Sequence, residues 1–234
     1  MSGTTGNPEL QKRDGSSEAD WRYERKFRLK NIPHYLVEQI VHNHPASFRS
    51  VFPDRWVNNI YFDDTSLTAL YENFAGIADR QKVRLRWYGE AFPEELQSAR
   101  LEWKIRSNQL GNKRIKKIST IPFNAIANIL PPVQAVWPEA DAYQTVLMNR
   151  YLRSYFITAD SKIRLTIDWD ICFLEPRAAF QMKHFHYSLP GGVVELKYHS
   201  DEEEYAEWIM QHLPFRLSKN SKYVTGLLVL NGKG

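Results

Sequence analysis

In Lys82-Val83-Arg84-Leu85-Arg86-Trp87 every even position is cationic and every odd position is apolar. Side chains on a β-strand point to opposite faces with period two, so this segment has one charged face and one apolar face. Residues 100–106 (RLEWKIR) and 162–170 (KIRLTIDWD) repeat the design. Residues 22–29 (RYERKFRL) follow it with one exception, Arg25, and residues 193–198 (VVELKY) form a shorter version. Residues 56–63 and 112–118 read as further strands, and 84–106 as a hairpin interrupted at Gly89 and Pro93.

A half-buried antiparallel sheet accounts for alternation in any single strand. It does not account for the composition of the polar faces, which are dominated by Arg and Lys with one Glu on each of three strands. Like charges directly opposite one another destabilise a sheet. Arg84, Arg86, Arg100, Lys104, Arg106 and Arg164 on one continuous face therefore require an anion. The arrangement that supplies one is an α+β fold built on a closed antiparallel β-barrel, charged faces inward and apolar faces covered by helices. Desolvating each ion costs several kcal/mol, so this interior must be wet and must bind a polyanion. Opposite charges ~4 Å apart attract by ~4 kcal/mol at an effective dielectric of ~20. Arginine also grips phosphate oxygens with a planar fork. Glu24, Glu102 and Glu195 are misplaced for phosphate alone, but they supply hard oxygen ligands for a divalent metal bridging phosphates.

Composition sets outer limits. The 234 residues carry 31 Lys+Arg and 27 Asp+Glu, a net charge of only +4. One cysteine, Cys172, excludes a disulfide framework and a cysteine-based zinc site. No apolar run approaches the ~20 residues of a membrane span, and the first residues lack a signal-peptide pattern, which gives a cytoplasmic expectation without membrane insertion. Residues 1–20 are polar and aperiodic and read as a disordered tail, with 21–234 as one domain. Helices are expected at 33–43, at 65–74 with Asp64 as cap, at 141–153 on the spacing of Tyr143, Leu147 and Tyr151, at 200–213 with a Ser200/Glu203 capping box, and at 219–230.

Other signals are set aside. There is no phosphate-binding loop of the G-x-x-x-x-G-K-[ST] type and no G-x-G-x-x-G. His42-x-His44 and His184-x-His186 lack partners for zinc. The acidic run 201–204 reads as a favourable charge at a helix N-terminus and nothing more. Cys172 reads as packed, and Trp56, Trp87, Trp103 and Trp169 as outer packing. Nucleic acid is excluded as a partner because the basic residues share their strand faces with glutamates.

The motifs RYERKF (22–27), IYFDD (60–64), VRLRWYG (83–89), LEWK (101–104), IRLTID (163–168), VELKY (194–198) and SKYVTG (221–226) together resemble the VTC domain. This is the polyphosphate polymerase domain of the vacuolar transporter chaperone complex, within the CYTH or triphosphate tunnel metalloenzyme superfamily. The resemblance runs from Trp21 to the C-terminus. It implies an eight-stranded tunnel, a Mn²⁺ or Mg²⁺ cofactor, and transfer of the γ-phosphate of ATP onto a polyphosphate chain. By motif it places Lys26, Arg84, Arg86, Lys104, Arg164 and Lys222 in the catalytic set. Arg153, Lys197 and Lys113 become further phosphate contacts. Glu195 becomes the principal metal ligand, with Glu24 and Glu102 as helpers. The first strand departs from the superfamily's Glu-x-Glu-x-Lys, because Arg22 stands at the first Glu. That resembles the VTC branch and weakens the case for a typical two-metal triphosphatase. Two alternatives stay open: a triphosphate or nucleoside triphosphate hydrolase using the same tunnel, and a non-catalytic polyphosphate-binding module.

Overall fold

The computed structural model describes residues 21–182 and 187–232. The tail at 1–20 and the pair His184-x-His186 lie outside the described residues. In chain order the elements are β1 (Arg22–Arg28), α1 (His34–His42), β2 (Arg49–Asp64), α2 (Thr68–Ala75), β3 (Asp79–Tyr88), β4 (Glu95–Leu96), β5 (Arg100–Ser107), β6 (Leu110–Lys117), β7 (Ile121–Pro122), α3 (Leu130–Val136), β8 (Tyr143–Ile157), β9 (Arg164–Leu174), α4 (Pro176–Met182), β10 (Tyr187–Leu189), β11 (Val193–Tyr198), α5 (Glu203–Gln211) and α6 (Lys222–Leu230), with short 3-10 turns between some of them.

The strands pair in the order β9-β11-β1-β6-β5-β3-β2-β8, and β8 pairs back onto β9. Eight strands thus form a closed antiparallel ring, with β10 added along β9. Closure removes sheet edges and fixes an inside and an outside for every strand. The outward apolar faces lie under helices. Leu85, Trp87, Leu101 and Trp103 pack with Val133 of α3 and Ala179 of α4. Phe27, Leu165, Ile167 and Leu196 pack with Val37 and Val41 of α1 and Ala206 and Ile209 of α5. Arg25, the break in the first alternation, belongs to this outer face and pairs with Glu203 of α5 at 2.9 Å. Glu202 pairs likewise with Lys162 at 2.9 Å. The acidic run therefore ties its helix to the barrel as well as favouring the helix N-terminus.

The expected helix at 141–153 is instead the long strand β8. A spacing of four, as in Tyr143, Leu147 and Tyr151, fits a helical stripe, but it is also two strand periods. Pairing with β2 on one side and β9 on the other decides the matter. The other expected helices stand as α1, α2, α5 and α6, whereas α3 and α4 were not anticipated. Asp64 accepts from the Thr68 N–H at 3.0 Å as expected, and Asp63 beside it takes the Ala69 N–H at 3.1 Å. His44 is satisfied, with Nε2 3.1 Å from the Ile209 carbonyl and Nδ1 accepting from the Ala46 N–H. Trp56 lies under the Arg150 guanidinium (3.9 Å).

The interior is not uniformly charged. At Asp170, with φ 47°, β9 carries an extra residue opposite Tyr151 of β8. A bulge of this kind inverts the in-out pattern beyond it. Ile171 and Phe173 consequently turn inward, where they join Val57, Tyr61, Leu147, Tyr151 and Val193 as an apolar wall for α6. Gly226 makes that packing possible, since a Cβ there would sit 2.6 Å from Phe173 and 2.7 Å from Leu147. The residues leading into α6 then bridge several walls at this end. The Ser218 N–H donates to the Lys26 carbonyl (2.7 Å), Asn220 accepts from Lys26 Nζ (3.2 Å), Ser221 accepts from Lys82 Nζ (2.9 Å), and Tyr223 donates to Asp63.

Candidate functional site: a charged tunnel interior

The register lays out the inner face rung by rung. Across β1, β11 and β9 the rungs are Glu24–Lys197–Arg164, Lys26–Glu195–Thr166 and Arg28–Val193–Asp168. Across β3, β5 and β6 they are Lys82–Lys104–Lys113, Arg84–Glu102–Ile115 and Arg86–Arg100–Lys117. Two of these last three rungs are wholly cationic. Directly opposed like charges destabilise a sheet, so the fold carries this cost in return for a surface that attracts anions.

Four carboxylates, of which Glu102, Asp168 and Glu195 are buried and Glu24 is half-buried, divide the cations among them. Glu24 holds Lys104 at 2.6 Å and lies 3.8 Å from both Lys26 and Lys197. Glu195 holds Lys197 at 2.7 Å and Lys26 at 3.6 Å. Glu102 takes two N–H groups of Arg84 on one oxygen, at 2.9 and 2.7 Å, with Arg86 at 3.6 Å. Asp168, fully buried, takes the Arg153 fork on both oxygens and the Lys222 ammonium. Arg86 is further fixed by Asn59 Oδ1 (2.8 Å) and the Tyr151 hydroxyl (3.0 Å), and Asn59 is in turn bonded to Asn149 (2.7 Å).

The electrostatics show which side of the balance is strained. Burial would raise the Glu24 carboxyl, but Lys104, Lys197 and Lys26 outweigh it and hold it at about 2. Asp168 is likewise at about 2, because Arg153 and Lys222 overcome burial. Glu195 is held well below the ordinary carboxylate range by Lys197, Lys26 and Lys104, again against burial. The lysines are less well served. Burial, with Lys26 and Lys197 nearby, brings Lys104 down to about 7 despite Glu24. Burial and then Lys26 and Lys104 push Lys82 well below the usual lysine value. The carboxylates are thus held in their charged form, and Lys197, Arg84 and Arg153 are well served by them, whereas Lys104 and Lys82 are short of negative partners.

Ten of the twelve residues expected from sequence meet in this interior: Lys26, Arg84, Arg86, Lys104, Arg153, Lys197, Lys222, Glu24, Glu102 and Glu195. Lys113 continues the Lys82–Lys104 rung but is exposed. Arg164 occupies an inward position at the start of β9, yet it is exposed at the rim and has no hydrogen bond or ion pair among the described residues. The three glutamates do not gather around one point. Among the described residues no group of three or more His, Cys, Asp or Glu is placed to share a metal. Glu102 is engaged with Arg84 and Arg86, whereas Glu24 and Glu195 share Lys26 and Lys197. These two supply the hard oxygens a Mg²⁺ or Mn²⁺ ion requires, and such ions commonly take one or two carboxylates with the remaining positions filled by substrate phosphates and water. The donor set therefore fits a metal that arrives with a phosphate ligand.

Asp168 was not singled out from sequence, although its even position in the 162–170 alternation marks it as inward. Tyr151 was hidden by reading its segment as a helix. Lys82 stood in the cationic alternation but outside the expected site.

Solved structures share this architecture. A Vibrio parahaemolyticus protein provisionally named an adenylate cyclase matches with a TM-score of 0.52 at 16% identity, over 89% of this chain and 99% of its own. The PH1819 protein of Pyrococcus horikoshii matches with a TM-score of 0.50 at 12% identity, over 90% of this chain and 99% of its own. At such identities the likeness shows a shared fold and no more. No curated protein sequence matches the chain. The model of the VTC domain matches residues 21–231, which span the whole ring of strands and the helix packed inside it. With its motifs in family order and its inward faces charged, the chain belongs to the VTC domain family.

Proposed function

We propose that this domain is a metal-dependent phosphotransferase of the polyphosphate polymerase type, moving the γ-phosphate of ATP onto a polyphosphate chain inside the barrel. The observation that carries this reading is the pair of wholly cationic rungs, Lys82–Lys104–Lys113 and Arg86–Arg100–Lys117, on the inward faces of β3, β5 and β6. A linear polyanion relieves their repulsion, and a neutral or compact ligand does not.

Phosphoryl transfer depends mainly on alignment and charge neutralisation, so no protein nucleophile is needed. Arg84 and Arg153, locked by Glu102 and Asp168, present fixed guanidinium groups to phosphate oxygens. Locking them in advance avoids reorganisation during the reaction. Lys26, Lys104 and Lys197 are mobile point charges that can transfer from Glu24 and Glu195 to the phosphates. Freed of those lysines, Glu24 and Glu195 would hold Mn²⁺ or Mg²⁺. When bound, the metal supplies neutralisation of the charge developing on bridging phosphate oxygens. The acceptor is the terminal phosphate of the chain already held in line.

Hydrolysis of triphosphate is the second reading, because the same preset cations and carboxylates would hold a triphosphate with water in place of the chain as acceptor. The test is incubation with ATP, Mn²⁺ and a short polyphosphate primer, followed by product sizing. Long polyphosphate with ADP supports the polymerase. Orthophosphate without chain growth supports the hydrolase. Binding without turnover overturns both and leaves a polyphosphate-binding module. Glu195→Gln should abolish turnover while keeping most phosphate binding, and equal loss of both would contradict its metal-ligand role.

A further inference from the structure

We infer that the hydroxyl of Thr166 is a neutral hydrogen-bond donor to a bound phosphate oxygen, a contact for which the free fold has no use. This rests on the reading that phosphates occupy the interior. Thr166 completes the rung Lys26–Glu195–Thr166 and stands opposite Tyr155 on its other side, so it faces into the barrel. Of the three inward side chains Arg164, Thr166 and Asp168 along this part of β9, it alone is uncharged.

The side chain is 8% exposed, and among the described residues its Oγ1 has no hydrogen-bond partner. A buried hydroxyl without a partner costs free energy, and native folds keep such groups rare. The carboxylate beside it is engaged elsewhere, because Glu195 takes Lys197 at 2.7 Å and Lys26 at 3.6 Å. Thr158, buried just beyond the end of β8, shows the contrast. Its hydroxyl donates to Asp160 Oδ1 at 2.5 Å and accepts the Ile163 N–H at 3.1 Å, which pins the turn into β9. There the hydroxyl serves the fold. At position 166 it does not, since valine has nearly the same shape and an equal preference for strands. Packing alone therefore calls for valine at 166, and the hydroxyl calls for a ligand. A phosphate oxygen satisfies it, because a hydroxyl donates to an anion without adding another charge beside Lys26 and Lys197. When those lysines pass from Glu195 to the ligand, the phosphates come to lie against this rung.

Removing the hydroxyl should therefore separate stability from binding. Inorganic triphosphate is titrated calorimetrically into the wild-type chain, Thr166→Val, Thr166→Ser and Thr158→Val, with a chelator present so that no metal contributes. Unfolding midpoints of the same four proteins are measured without ligand. Thr166→Val should bind triphosphate about tenfold more weakly, the worth of one hydrogen bond to a charged acceptor, while its midpoint stays level or rises. Thr166→Ser keeps the hydroxyl and should bind within about threefold of wild type. Thr158→Val should do the reverse, lowering the midpoint and leaving affinity unchanged. Unchanged affinity in Thr166→Val, a loss that Thr166→Ser shares in full, or a loss that comes with a lowered midpoint overturns the inference. If the wild-type chain binds no triphosphate, the tunnel reading itself fails and the role of Thr166 falls with it. Binding by the wild-type chain with unaltered affinity in Thr166→Val sinks only the role of Thr166.

Discussion

Lys104 offers a direct test of the idea that the interior cations call for an anionic ligand. Burial brings its ammonium from an ordinary value of 10.5 down to about 7, although Glu24 lies 2.6 Å away. A bound triphosphate adds negative charge and should return Lys104 toward its ordinary range. Binding then takes up a proton wherever the free protein has lost it. The sign follows from linkage. Below pH 7 the amine is already charged and affinity is insensitive to pH. Above pH 7, each pH unit costs up to tenfold in affinity until the pKa of the bound state is reached. Between pH 7 and pH 9 the loss from this one group is ~50-fold, and at pH 8.5 the uptake is about one proton. Lys82, also pushed down, steepens the dependence. Calorimetry in buffers of differing ionisation heat gives the uptake, and Lys104→Arg is the reference because its charge does not titrate. The ligand's own protonation is common to both proteins and cancels in the comparison. Equal pH slopes for wild type and Lys104→Arg, or no excess proton uptake at pH 8.5, would refute the reasoning.

Three further outcomes are expected. Asp168→Asn leaves Arg153 and Lys222 buried without their counter-charge and should cost ~3–5 kcal/mol in denaturant unfolding, a loss that bound polyphosphate partly restores. Gly226→Ala brings a methyl group into Phe173 and Leu147, and should lower stability by ~1–3 kcal/mol, read from the unfolding midpoint. Arg84→Ala should weaken polyanion binding about tenfold or more by removing a preset guanidinium; unchanged affinity in direct titration would show that this strand face does not contact the ligand.

The barrel was legible in the sequence because its charged and apolar residues alternate with the strand period. The rule that like charges cannot share an unrelieved face then turned β3, β5 and β9 inward. Lys26, Arg84, Lys104 and Glu195 followed from position in that pattern and from the family motifs. Local spacing alone could not type β8, since Tyr143, Leu147 and Tyr151 satisfy both a helix and a strand. Only its two neighbouring strands resolved the ambiguity. The bulge at Asp170 is equally invisible in the sequence, yet it decides where the interior changes from charged to apolar and gives α6 its seat. The sequence by itself determined which side chains face inward on β1, β3, β5, β11 and β9 as far as Asp168. Tertiary structure decided how they are partnered: Glu102 with arginines, Glu24 and Glu195 with shared lysines, Asp168 as the anchor of Arg153 and Lys222, and Arg164 alone at the rim. Facing direction is a local property of alternating backbone geometry, whereas partnership depends on the register of strands distant in the chain.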